Sequence, residues 1–261
     1  MIVIGREREK VSCCRHGILV VYRMRLEVQQ LSKRFGDLAA LSNVSFQVRA
    51  GEVLGLIGPN GAGKTTLFEC MAGVLPADGG SLRADGHEIP AGQRSRILFY
   101  LPDAIAPWGA QSVRWTLDYT IGFFGGSAEL RDEAIAELDL APLLRRPIAA
   151  LSKGQRKRAL LAIGLLTPQP VLLIDEPFEG LDLRQMREVA GVLRAHAALG
   201  RTLFLSIHQI GDAARLCDRF VLLSNGQVRG EGTVSDLAAD AMLRGAAGPS
   251  SSLEEVFLAL T

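Results

Sequence analysis

Cysteine, aromatic residues and net charge are all scarce in this chain. Four cysteines occur in 261 residues, Cys13, Cys14, Cys70 and Cys217. The adjacent pair fits neither a CxxC metal site nor a disulfide scaffold, and the other two sit in apolar surroundings. Reduced, structural cysteines are expected, and with them a cytoplasmic location. Aromatic residues make up 6% of the chain. Lys and Arg number 29 against 28 Asp and Glu, a net charge of +1, so there is no chain-wide electrostatic footprint for nucleic acid and none is expected as a partner. Long hydrophobic runs are also missing. The longest, GILVVY and LLAIGLL, fall far short of the ~18 residues that a membrane helix needs. The first 23 residues lack the pattern of a secretory signal. They read either as a mis-started extension ahead of Met24 or as a disordered arm.

Apolar residues are plentiful at 48%, enough for a substantial core. From residue 25 to 58 apolar and polar residues alternate and then give way to the fully apolar EVLGLIG, which predicts strands, the last of them buried. A helix is expected over about Lys64–Ala72. A strand, RILFYLP, ends at Pro102. Helical periodicity over about 111–146 predicts an inserted helical lobe, taken as about 104–165, with both VRWTLDYTIGFF and LRDEAIAELDLAPLL helical. A helix over Gln155–Leu166, the strand VLLID, an amphipathic helix, the strand TLFLSI and a short helix in IGDAARLC follow. A hairpin should turn at Asn225-Gly226, and a helix over about 251–260 should close the chain. Strand–helix alternation after residue 58 predicts an α/β fold, a largely parallel sheet with helices on both sides.

Two stretches carry chemistry by themselves. GPNGAGKT, Gly58 to Thr65, matches GxxxxGK[ST] between a buried strand and a helix, the context this phosphate-binding loop requires. Gly58, Gly61 and Gly63 let successive N–H groups face a phosphate, with Pro59, Asn60 and Ala62 between them. Lys64 would neutralise the β- and γ-phosphates, and Thr65, followed by Thr66, would hold Mg²⁺. VLLIDEP delivers two carboxylates at a strand end. Asp175 is expected at the Mg²⁺ and Glu176 at the attacking water. Alone, such an acidic pair is as often a helix cap.

A third stretch, LSKGQ, Leu151 to Gln155, is a phosphate-friendly turn nearly a hundred residues further on. Ser152 stands at an N-cap position, and Gly154 permits close backbone approach. Since the first loop already supplies one set of ligands, the economical reading is that this turn grips the nucleotide of a second copy. An ordinary helix start would read the same from these five residues alone.

Taken in order, Gly58–Thr66, Leu151–Gln155, Val171–Pro177, the GLD of Gly180–Asp182, and His208 after TLFLSI resemble the ATP-binding cassette (ABC) family, the ATPase subunits of ABC transporters. The resemblance covers nearly all of residues 24–261. It implies a P-loop NTPase core with a β-rich N-terminal edge and an inserted helical lobe. It also implies ATP and Mg²⁺ as cofactors, a second ABC subunit, a separate transmembrane permease and a peripheral place on the cytoplasmic face of the cell membrane. By the same resemblance, Phe35 would stack on adenine. Ser152, Gly154 and Gln155 would touch the partner's nucleotide, and Asp182 would link the two sites. His208 would contact the γ-phosphate and, with Glu176 and Lys64, serve hydrolysis.

Two departures stand out. Lys153 occupies the third signature place, where glycine is commonest, and is expected to point outward or to add charge toward phosphate. Asp103 stands where the family often has Gln. It can still bind a cation, so a weakened Mg²⁺ contact is expected there. The ending SLEEVFLALT is similar to that of bacterial export-type (ABC-2-like) subunits. The competing class is a soluble ABC ATPase acting on nucleic acid or ribosomes. Those chains usually carry two cassettes or a long coiled-coil insert.

Overall fold

Two sheets divide the strands. The computed structural model describes residues 24–103, 105–207 and 215–243, together with Glu255 and Phe257. The antiparallel sheet has the order β2-β1-β4-β5, formed by β1 (Leu26–Phe35), β2 (Leu38–Val48), β4 (Gly79–Ala84) and β5 (His87–Glu88). The second sheet has the order β10-β9-β3-β8-β7-β6. Its members are β3 (Val53–Ile57), β6 (Leu98–Leu101), β7 (Val171–Asp175), β8 (Thr202–Ile207), β9 (Arg219–Ser224) and β10 (Gln227–Gly232). Five of these strands are parallel, and β10 joins the edge antiparallel to β9. The β9–β10 hairpin turns at Asn225 and Gly226, both at positive φ (50° and 69°), as a two-residue type I′ turn requires.

The parallel strands are buried on both faces, so their sequences are unbroken apolar runs rather than alternations. Neighbouring residues still point to opposite faces. Leu54, Leu56, Leu173 and Phe204 join one core with β1, β2, β4 and helix α1 (Lys64–Ala72). Phe204 meets Phe46 and Phe68 there, at 5.4 and 4.9 Å between ring centroids. Val53, Ile57, Leu172 and Leu205 join the other core, with helices α2 (Val113–Phe124), α3 (Ala128–Glu137), α4 (Lys153–Leu165), α5 (Leu183–Ala198) and α6 (Val234–Leu243) on that side.

The helical segments differ from the sequence expectation in two places. The stretch expected as one helix from Leu130 to Leu144 ends at Glu137. Asp139 takes φ +48°, and a 3₁₀ turn over Ala141–Leu143 with Pro142 follows. Proline has no N–H to continue the ladder. Helix α4 begins at Lys153, two residues before the expected start, because Ser152 caps it. Within the expected lobe, α2 and α3 pack on α4, and α4 runs on under β6, where a Cβ on Gly164 would stand 2.4 Å from Leu101 Cδ1. The helix expected over 251–260 lies outside the described residues apart from Glu255 and Phe257. IGDAARLC does so except for Arg215, Leu216 and Cys217.

Candidate nucleotide site

The site forms where parallel strands end. β3 runs into the glycine loop, and the C-terminal ends of its neighbours β8 and β7 deliver Ser206 and Asp175 beside it. Gly58 is buried, and Pro59, Asn60 and Gly61 are exposed at the rim. Gly63 precedes α1 at φ +101°, and a Cβ there would meet Ala40 O at 2.6 Å. Only glycine allows the loop to curl against β2 and aim the N-terminus of α1 into the site. Ala62 is buried inside the loop and Thr66 half-buried behind it.

Lys64 lies across the loop, Nζ donating to Gly58 O at 2.7 Å and to Pro59 O at 3.1 Å. Burial holds its pKa below the ordinary lysine value, against the opposing pull of Glu176 and Asp175. Thr65 Oγ1 donates to Asp175 Oδ2 at 2.8 Å, although the two are 110 residues apart in sequence. Hard oxygen donors set side by side are the ligand type Mg²⁺ selects. With the loop amides and the Lys64 ammonium, they fit a Mg-bound nucleotide triphosphate.

Glu176 follows Asp175 with φ +51°. This left-handed conformation is uncommon for a residue with a Cβ and is found where surroundings enforce it. Ser206 supplies that enforcement. Its hydroxyl accepts from Glu176 N at 3.0 Å and donates to Asp175 Oδ1. Ser206 is fully buried, and sequence reasoning passed over it. The available signal was a hydroxyl in the otherwise apolar end of TLFLSI.

The signature turn lies beside the loop that follows Glu176. Ser152 Oγ accepts from Gln155 N, and Gln155 Oε1 accepts from Ser152 N, a reciprocal capping box. Asp182 does the same with Gln185 at the start of α5. Gly154 is backed against Gly180 so closely that a Cβ would stand 2.4 Å from Gly180 O. Ser152 and Asp182 are exposed, and their hydrogen bonds stay within their own helix starts. Phe35, half exposed at the end of β1, carries the Lys33 ammonium 5.5 Å from its ring centroid. His208 lies outside the described residues.

Both departures find partners within the chain. Lys153 points outward, its side chain half exposed, and its Nζ donates to Glu179 Oε1. The cation against Asp103 is an ammonium, Lys157 Nζ at 2.5 Å from Oδ1. Burial alone would raise the Asp103 pKa. The hydrogen bond from Lys157, and the charges of both lysines, outweigh that effect and hold it below the ordinary value. A cavity of about 580 Å³ opens between Asn60, Asp103, Glu176, Glu179 and Ser206.

The ABC transporter family model matches residues 41–179, from β2 through the phosphate loop and signature turn to Glu179. The chain belongs to the ABC transporter ATP-binding family. Members of this family are ATPases that drive transport. The Nod factor export ATP-binding protein I of Sinorhizobium fredii is 33% identical over 215 residues, 79% of this chain and 62% of that protein. The cassette thus spans less than two thirds of that relative's length. The hemin import ATP-binding protein HmuV of Streptomyces coelicolor is 35% identical over 224 residues, 82% of this chain and 79% of that protein. A solved ATP-binding subunit of an ABC transporter superposes with TM-score 0.79 at 30% identity, covering 90% of this chain and 98% of the other. The ABC ATPase fold expected from the sequence is therefore the observed one.

Proposed function

We propose that this chain binds and hydrolyses Mg·ATP as the motor subunit of an ABC transporter, pairing head to tail with a second ABC subunit and driving a separate membrane permease. The observation that carries the reading is the convergence of Lys64, Thr65, Asp175 and Glu176 at one sheet end, with Ser152 and Asp182 left exposed beside it. Thr65 and Asp175 would hold Mg²⁺, which when bound offsets phosphate charge. Lys64 and the loop amides hold the β- and γ-phosphates. Phe35 offers a ring face to the base. Glu176, fixed by Ser206, accepts a proton from the attacking water. The Ser152 turn, whose N–H groups are engaged only within its own helix start, caps the partner's nucleotide, as His208 is proposed to contact this chain's own.

Among the described residues, no helix is long and apolar enough to cross a membrane, and the coupled step is assigned to the permease. A docking face is available on α2 and the turn before it. Trp108, Trp115, Tyr119 and Phe123 are 44%, 40%, 42% and 70% exposed; Trp115, Tyr119 and Phe123 stack in sequence at 5.2 and 6.2 Å between centroids, and Trp108 packs tilted against Tyr119 at 4.8 Å. Docked there, the chain sits peripherally on the cytoplasmic face of the membrane. We infer export as the direction, supported by the ending SLEEVFLALT and the Nod factor export relative. The hemin import relative makes direction a matter for transport assay.

The test is a pull-down of the tagged chain from detergent-solubilised native membranes, with co-purifying proteins identified by mass spectrometry and ATP turnover measured on the product. A stoichiometric polytopic partner is the expected result. Recovery with ribosomes, nucleic acid or nothing overturns the transporter role and leaves the nucleotide chemistry standing.

A further inference from the structure

The site holds more charge than the phosphate loop explains. Asp103, Glu176 and Glu179 each bring a carboxylate oxygen within 4.8 Å of the others. Three carboxylates so close repel one another and the γ-phosphate of an incoming nucleotide. Two lysines answer them, and both come from α4. Lys157, its side chain only 4% exposed, donates to Asp103 Oδ1 at 2.5 Å and reaches the backbone carbonyl of Asp175 at 3.3 Å. Lys153 donates to Glu179 Oε1. Four residues apart on one helix, the two ammoniums lie on the same face. Lys157 at the buried end of the site and Lys153 at the exposed signature turn flank the carboxylates of Asp103 and Glu179.

We propose that Lys157 is a positioning residue for the γ-phosphate end of the site. It neutralises Asp103, where a neutral side chain would need no such partner, and with Lys153 it binds the signature helix to the loops after β6 and β7. An uncompensated Asp103 would meet the nucleotide as a negative charge. A paired one does not, and it stays in place beside Glu176. The same helix carries the Ser152 turn, so this clamp ties the surface proposed for the partner's nucleotide to the chain's own site. The inference rests on the nucleotide reading given above.

The experiment is a charge cycle in the full chain: Lys157→Met, Asp103→Asn and the double variant, with KM for Mg·ATP and kcat measured separately. Lys157→Met is expected to raise KM about tenfold with a smaller change in kcat, and adding Asp103→Asn should bring KM back to within about twofold of wild type. Lys157→Arg, which keeps the charge, should recover most of the loss. A packing role for Lys157 predicts no rescue by removing Asp103's charge. An unchanged KM in Lys157→Met, or a double variant no better than the single, overturns the proposal. If Lys157→Met does not fold, the double variant decides alone, since it buries no unpaired charge. A KM about tenfold above wild type in that variant then overturns the proposal, and a near-wild-type KM upholds it. Wild-type protein without Mg·ATP turnover fails the proposed function. Turnover without coupling between the two positions fails only this inference.

Discussion

In the proposed mechanism Glu176 is the residue on which the chemistry turns, and its backbone records a constraint. A φ of +51° at a residue with a Cβ persists here because Ser206 Oγ takes the Glu176 N–H at 3.0 Å while donating to Asp175. Glu176→Gln keeps the shape and removes the proposed base. Phosphate release should fall about 10²- to 10⁴-fold with ATP binding retained, and with saturating Mg·ATP the variant should run as a dimer in size exclusion. A monomer under those conditions counts against the head-to-tail mechanism. Ser206→Ala leaves Asp175 Oδ1 without its donor and Glu176 N without its acceptor. Groups that orient metal ligands typically matter at about the 10- to 100-fold level. Turnover should fall by that order, with a higher Mg²⁺ requirement in a Mg²⁺ titration. An unchanged Mg²⁺ dependence would show that Thr65 alone fixes Asp175.

Helix α4 joins signature turn, catalytic loops and core, and each end has its own fastening. At its start the Ser152 hydroxyl satisfies an otherwise orphaned N–H. At its end Arg201 donates to the carbonyls of Gly164 and Leu165 at 3.0 Å each and to Thr167 Oγ1 at 2.8 Å. A cation on these last carbonyls also suits the helix dipole. Burial lowers the Arg201 pKa to about 10, still well above neutrality. Arg201→Leu should strand several buried carbonyls and lower stability by about 2–4 kcal/mol in urea denaturation. Ser152→Ala should cost only about 1 kcal/mol there, but should impair dimer closure with ATP. If both effects of Ser152→Ala are absent, the turn is neither a working cap nor a nucleotide contact.

For the whole molecule, ligand binding at the sheet end should register as global stability. A site built from β3, β7 and α1 exists only in the folded chain. Mg·ATP at a hundredfold excess over Kd should therefore add about 2.7 kcal/mol. A thermal melt would show this as an upward shift that EDTA reduces and Lys64→Ala abolishes. A shift retained in Lys64→Ala places the nucleotide elsewhere. The exposed ring stack at Trp115, Tyr119 and Phe123 belongs to the same scale, because the proposed permease would cover it.

The sequence by itself determined the parts whose signals are local. Apolar runs marked the buried parallel strands, Asn225-Gly226 marked the hairpin, and glycine spacing with Lys64 marked the phosphate loop, because backbone geometry and periodicity are written within a few residues of each position. The tertiary structure alone decided what depends on contacts across the chain. Ser206 became a site residue by lying 31 residues beyond Asp175 on the adjacent strand. Lys157 met Asp103 across 54 residues, and Lys153 met Glu179 across 26. A charge gives no sign in sequence of which opposite charge it will meet. That choice is made when α4 packs beneath β6 and β7, and it changes two apparent departures from the family pattern into two ion pairs.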